Sequence, residues 1–128
     1  MPVPDIAEAE LAVLRRLWDV PRSTIRELTD HLYPAGTTAH YATVQKLLER
    51  LEAKGCVTRD ADTTPHHFSA TITRLELAGS RLRKLADQLC EGSIAPLITH
   101  LIDARELTPR EIEELRALVS KAPKARKR

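Results

Sequence analysis

HYATVQKLLERLEAKGCVTR, residues 40–59, changes its hydrophobic period at Gly55. Before the glycine, Val44, Leu47, Leu48 and Leu51 recur at the three- and four-residue steps of a helix, so one side is buried. After it, Cys56-Val57-Thr58-Arg59 reads as a short strand. Gly55 is a natural left-handed terminator between the two. The unburied side of the helix carries Ala42, Thr43, Gln45, Lys46 and Arg50, and what that side meets decides the function.

Working outward, the upstream sequence predicts two more helices. Residues 6–18 place Ala7, Leu11, Leu14 and Trp18 on one stripe, and Pro21 stops the helix. Residues 25–32 bury Ile25, Leu28 and Leu32, and Tyr33-Pro34-Ala35-Gly36 is a turn before Thr37 or Thr38 caps the third helix. Downstream, His67 to Ile72 alternates as a second strand, with Asp60 to His66 as the loop. Three helices and a hairpin in this order predict a winged helix-turn-helix. The fold class is mainly α with a small β-hairpin.

The rest of the chain is helical. Leu75, Ala78, Leu82, Leu85, Ala86 and Leu89 stripe a helix over residues 74–90. Ser93 is expected to cap residues 94–103, where Ile94, Leu97, Ile98, Leu101 and Ile102 face inward and Pro96 falls in the first turn. Ile112, Leu115, Leu118 and Val119 stripe the last helix. Thr24…Glu27, Thr73…Glu76 and Thr108…Glu111 fit the capping box, and Asp5 to Glu8 is a looser relative. The expected organisation is a DNA-binding domain over 1–72, a helical dimerisation domain over 73–120 and a basic tail over 121–128.

A three-helix unit this small rarely folds alone without a metal, disulfides or a partner. Leu82, Leu85, Leu89, Ile94, Leu97, Ile98, Leu101, Ile112, Leu115 and Leu118 are therefore expected at a homodimer interface. The alternative is that they fold back on the N-terminal domain as one core. Cys56 and Cys90 are too few for a disulfide framework and lack metal-ligand spacing. His66 and His67 are adjacent in a strand and point to opposite faces, so with Cys56 they do not make a metal site. No cofactor is expected.

Overall charge does not announce a nucleic-acid binder. The net +2 rests on KAPKARKR, which holds five basic residues and no acid, whereas residues 1–72 carry eight basic and ten acidic side chains. Local placement decides instead. With Val44 inward, Ala42, Lys46, Glu49 and Ala53 lie on the far side of the third helix, Thr43 and Arg50 on one flank, and Gln45 on the other. Threonine and alanine methyls suit the thymine methyl, glutamine pairs with adenine, and Lys46 or Arg50 reaches guanine or phosphate. His40 and Tyr41 sit in the first turn, where helix-terminal amides favour phosphate. Alone, this pattern is also that of an ordinary solvated helix face; its position before a hairpin favours DNA. Glu49 opposes phosphate.

An enzyme is not expected: there is no Gly-rich phosphate loop, and Asp87 and Glu91 read as solvated carboxylates. The Met1 end lacks the features of a signal peptide and no run approaches membrane-spanning length, so a cytoplasmic protein with no membrane partner is expected.

AELAVLRRLW (9–18), TIRELTDHL (24–32), TVQKLLERLEAKGCVTR (43–59), FSATITRLE (68–76), EGSIAPLITHLI (91–102) and ELTPREIEELRALV (106–119) together resemble the penicillinase-repressor family, dimeric winged-helix transcriptional repressors. The resemblance implies that Tyr41, Ala42, Thr43, Gln45, Lys46 and Arg50 lie in or beside the major groove of a double-stranded DNA operator, and that residues 74–120 form the dimer. It implies a repressor that occludes a promoter on a pseudo-palindromic site and is released when the dimer breaks, with an unidentified sensor or protease as a further partner. The alternative is a winged-helix protein-docking module that binds no specific DNA. The chain departs from the family's pattern at three places. The wing tip, Asp60 to His66, has no Lys or Arg, so phosphate contact there depends on protonation of His66 and His67. The Asn-Phe bond at which well-known relatives are cleaved falls on His100-Leu101. The C-terminal cysteine cluster of copper-responsive relatives is absent.

Overall fold

The computed structural model describes residues 3–121; the expected basic tail lies outside them, apart from Lys121, which ends the last helix. Helix α1 spans Glu8–Asp19, α2 Ile25–Leu32 and α3 Thr38–Ala53. Strands β1 (Val57–Asp60) and β2 (His67–Ala70) form an antiparallel hairpin with Val57 opposite Ala70 and Arg59 opposite Phe68. Helices α4 (Arg74–Leu89), α5 (Ala95–Asp103) and α6 (Pro109–Lys121) follow. This is the mainly α, winged-helix fold that the periodicity predicts. The chain divides into two compact units within α4, between Ser80 and Arg81.

The first unit is built around α3. Val44, Leu47, Leu48 and Leu51 are all buried and pack with Val13, Leu14 and Leu17 of α1, Leu28 of α2, Val57 of β1 and Phe68 of β2. Phe68 also exchanges backbone hydrogen bonds with Ser23 (3.0 and 2.8 Å), so the segment before α2 adds a one-residue third strand to the wing. No hydrophobic pattern marks that bridge, because one residue is too short to carry a period. Leu77 of α4 completes the core, and Trp18 Nε1–H donates to the Ile72 carbonyl (2.8 Å).

Three helix starts follow the expected capping grammar in full. The glutamate accepts from the cap's N–H and the threonine hydroxyl accepts from the glutamate's N–H at Thr24/Glu27, Thr73/Glu76 and Thr108/Glu111. The Glu27 carboxyl is held below its ordinary range first by the Thr24 amide and then by the Thr24 hydroxyl. Gly55, at φ +76°, ends α3 as expected. Gly36 is needed for space: a Cβ there would lie 2.7 Å from the Tyr33 carbonyl oxygen.

Several expectations are corrected. Helix α1 starts later, with Ala7 as its exposed cap; of the expected stripe Leu14 is buried and Leu11 and Trp18 pack at the edge of the core, while Glu10, Val13 and Leu17 are buried beside Leu14. The burial of a glutamate among them is what the apolar pattern hid. In α4, Leu75 is 80% exposed while Leu77 is buried, because the helix presents a different side to the first unit's core. Ser93 caps nothing; Ile94 takes the cap position with no side-chain bond. Thr37 is the cap of α3, but its hydroxyl makes no capping bond.

Glu10 ties the two ends of the core together. Its Oε1 accepts from the Ala7 N–H (2.8 Å) at the start of α1 and from Lys54 Nζ (2.6 Å) at the end of α3, and Lys54 also donates to the Asp5 carbonyl (2.8 Å). Burial pushes the Glu10 carboxyl up, but the Lys54 hydrogen bond, the Ala7 amide and the charges of Lys54 and Arg50 together outweigh it and leave the pKa below 4.5. Since folding lowers this pKa, the ionised carboxylate favours the folded chain at neutral pH, and that gain vanishes as pH falls through the folded value. Lys54→Met is expected to destabilise the chain by about 1–3 kcal/mol at pH 7 by stranding a buried acceptor. In urea titrations its deficit against the wild type should shrink once pH drops below 4.5; a deficit that stays constant across that range would show that Lys54 acts through packing alone.

Candidate nucleic-acid interface

Because four aliphatic side chains fix the rotation of α3 about its axis, its other residues have no choice of direction. Ala42, Thr43, Gln45, Lys46, Glu49 and Arg50 are exposed, and His40 and Tyr41 are half-buried at the amino end. Neither Lys46 nor Arg50 is in an ion pair among the described residues, and Glu49 does not neutralise its neighbour Arg50. Two long cations therefore stand on one open surface. The Thr43 hydroxyl donates to the Ala39 carbonyl (3.0 Å), which commits its proton to the helix.

The two first-turn residues are held by specific contacts. His40 Nδ1 accepts from the Thr37 N–H (3.1 Å), and its ring stacks on Tyr33 with centroids 4.4 Å apart and planes 10° from parallel. The Arg26 guanidinium of α2 lies over the Tyr41 ring, 5.5 Å from its centroid. Arg26, Thr29, Asp30, Gly36, Thr37, Thr38 and Tyr41 line the cleft at this end of the helix-turn-helix.

A second groove, of about 220 Å³, runs between the helices and the wing, lined by Ile25, Tyr41, Gln45, Arg59, Pro65, His66 and Phe68. It brings two of the candidate residues of α3 together with the hairpin. Sequence reasoning looked for a wing cation at the tip and missed Arg59, one residue earlier on β1. Arg59 lies over the Phe68 ring (5.2 Å) and pairs with Glu52 of α3 (3.0 Å). Arg22, with φ +69°, pairs with Asp60 (2.9 Å) where β1 enters the wing loop. His67 Nδ1 is engaged with the Thr63 hydroxyl (2.9 Å), while His66 is exposed. Among the described residues no three His, Cys, Asp or Glu side chains converge as a metal site would require. Cys56 is buried, and burial raises its pKa, opposite to the shift a reactive thiolate needs.

A helix-turn-helix backed by a hairpin, with Lys46 and Arg50 on the exposed face of its third helix, defines a winged-helix DNA-binding protein. The chain belongs to the penicillinase repressor family, whose model matches residues 6–121, and is thus a member of a family of DNA-binding transcriptional repressors rather than enzymes. It is also similar to an uncharacterized 16.5 kDa protein in the ptsI 3′ region of Latilactobacillus sakei, 25% identical over 116 residues that cover 91% of this chain and 79% of that protein. Among the described residues no helix is long and apolar enough to cross a membrane.

The Arg59–Glu52 pair is half-exposed, where such pairs contribute about 0–1 kcal/mol. Glu52→Gln should therefore change stability little, yet release Arg59 towards phosphate. The expected outcome in fluorescence anisotropy is tighter binding to duplexes of any sequence, with the salt dependence steeper by about one phosphate contact. Unchanged affinity and slope would exclude Arg59 from the DNA surface.

Proposed function

We propose that this chain is a homodimeric, sequence-specific repressor that places its two α3 helices in successive major grooves of a pseudo-palindromic operator, with half-sites about 34 Å apart. Tyr41, Ala42, Thr43, Gln45, Lys46 and Arg50 are the proposed DNA-contacting set, with His40 closing the helix end that carries them, and residues 1–72 are the proposed DNA-binding domain. The observation that carries the reading is the outward face of α3, where Lys46 and Arg50 stand exposed, without ion-pair partners among the described residues, beside the small residues Ala42 and Thr43. Small side chains allow close approach to base edges, and the cations supply phosphate or guanine contacts.

Dimerisation through residues 73–120 is supported by what the C-terminal helices leave uncovered. Helices α5 and α6 contain no buried residue. Leu85 is 41% exposed, Leu89 71% and Leu118 64%. Ile98, Ile102, Ile112, Leu115 and Val119 line an apolar groove between α5 and α6. Contiguous apolar surface of this kind marks an interaction site in a water-soluble chain. Joining two readers makes the second engagement intramolecular and raises avidity by about 10² to 10⁴, so a sensor or protease that broke the dimer would release the operator.

Two substitutions separate the roles. Lys46→Ala is expected to weaken operator binding by about 1–3 kcal/mol and to relax preference at one position of the site; equal weakening on every sequence would make Lys46 a phosphate contact only. Leu118→Asp places a charge on a side chain that is exposed in the protomer, so folding should persist while sedimentation shows monomers and mobility shifts show weak binding. A dimer that binds normally would remove α6 from the interface. Failure of the wild type to shift any duplex selected from genomic DNA would favour the protein-docking reading.

A further inference from the structure

Among the described residues, five helices have their first cap amide bonded by a side chain three residues along, and four of those side chains are glutamates. The Ala7 N–H donates to Glu10 (2.8 Å), Thr24 to Glu27 (2.8 Å), Thr73 to Glu76 (2.8 Å) and Thr108 to Glu111 (2.9 Å). Only α3 differs: the Thr37 N–H donates to His40 Nδ1 (3.1 Å), and the first turn holds no acid.

On helix energetics alone this is the poorer choice. A carboxylate is favoured by the positive end of the helix dipole and makes a charge-assisted bond. A neutral imidazole offers one lone pair, and accepting at Nδ1 obliges its proton to sit on Nε2. The fold nevertheless invests in the ring. Tyr33 stacks on it, and the Gly36 turn brings Tyr33 and His40 close enough for that stack. The reason lies in what this helix end faces. In helix-turn-helix docking the amino-terminal residues of the recognition helix enter the major groove, between backbones that carry one charge per ~1.7 Å of duplex. The adjoining cleft already holds one carboxylate, Asp30, against one cation, Arg26. A glutamate at residue 40 would tip this end of α3 negative.

We propose that His40 is a positioning residue, a charge-free cap that fixes the amino end of the recognition helix without repelling phosphate. This rests on the reading of α3 as the DNA-contacting helix. Tyr33 and the Thr37 amide set the ring, the ring closes the helix, and the helix carries Tyr41 to Arg50 into the groove.

Three variants of the full chain test it, each followed by thermal melting and by anisotropy on a duplex selected by the wild type. His40→Glu restores the cap used elsewhere in the chain, so it should melt no lower than the wild type, yet bind about tenfold more weakly at low salt. The loss should narrow as salt rises. His40→Gln, uncharged and able to cap, should bind like the wild type, whereas His40→Ala should melt lower and bind less well at every salt concentration. Wild-type affinity in His40→Glu would overturn the proposal, as would weak binding by His40→Gln. If His40→Glu does not melt cooperatively, His40→Gln decides alone: tight binding supports the charge-free cap and weak binding removes it. A wild type that binds no duplex would sink the DNA reading itself, whereas a binding wild type matched by His40→Glu would sink only the role of the cap.

Discussion

The first unit depends on the rotational setting of one helix. Val44, Leu47, Leu48 and Leu51 of α3 are sealed against α1, α2 and the wing, and nothing else could turn that helix without exposing them. Burying an aliphatic side chain of this size is favourable by about 1.5–3 kcal/mol, so four of them outweigh any preference of the polar face. The residues offered to a partner are thus selected by what the opposite side buries. Position in the fold, not intrinsic chemistry, makes Lys46 and Arg50 candidate contacts.

That setting is pinned at both ends of α3 by polar contacts that the apolar core cannot supply. At the carboxyl end Lys54 reaches the buried Glu10 and, through it, the first amide of α1. At the amino end His40 closes the first turn and is clasped by Tyr33. Hydrophobic contact is non-directional and would tolerate small slides of the helix; hydrogen bonds at each end fix its register. The wing is attached by the same logic, since the Ser23–Phe68 backbone exchange joins it to the start of α2 while the Phe68 ring enters the core.

The second unit obeys a different constraint. Its helices are well formed, and α6 is capped by Thr108 and Glu111, yet their apolar stripes stay open. Local hydrogen bonding gives a helix its shape but only tertiary or quaternary contact hides its hydrophobic side. This unevenness between a sealed winged helix and an open pair of helices supports the proposal that a second copy of the chain covers them. In such an arrangement, affinity for a two-part site would be governed by association of subunits rather than by change within the reader.

Much of this was legible in the residues. The period of Val44 to Leu51, the break at Gly55, the alternation after it and three threonine–glutamate caps determine the order of the elements and the starts of α2, α4 and α6, because helix and strand periods and caps are local properties of a chain. The exposed side of α3 follows from the same period. Tertiary structure decided the rest. Glu10 is polar and yet buried, since its partner Lys54 is distant in sequence; Leu77, not Leu75, enters the core, since the neighbouring elements determine which side of α4 is covered. Arg59 turns to Glu52 and Phe68, and His40 becomes a cap, because a side chain's role is set by groups brought beside it only when the chain folds.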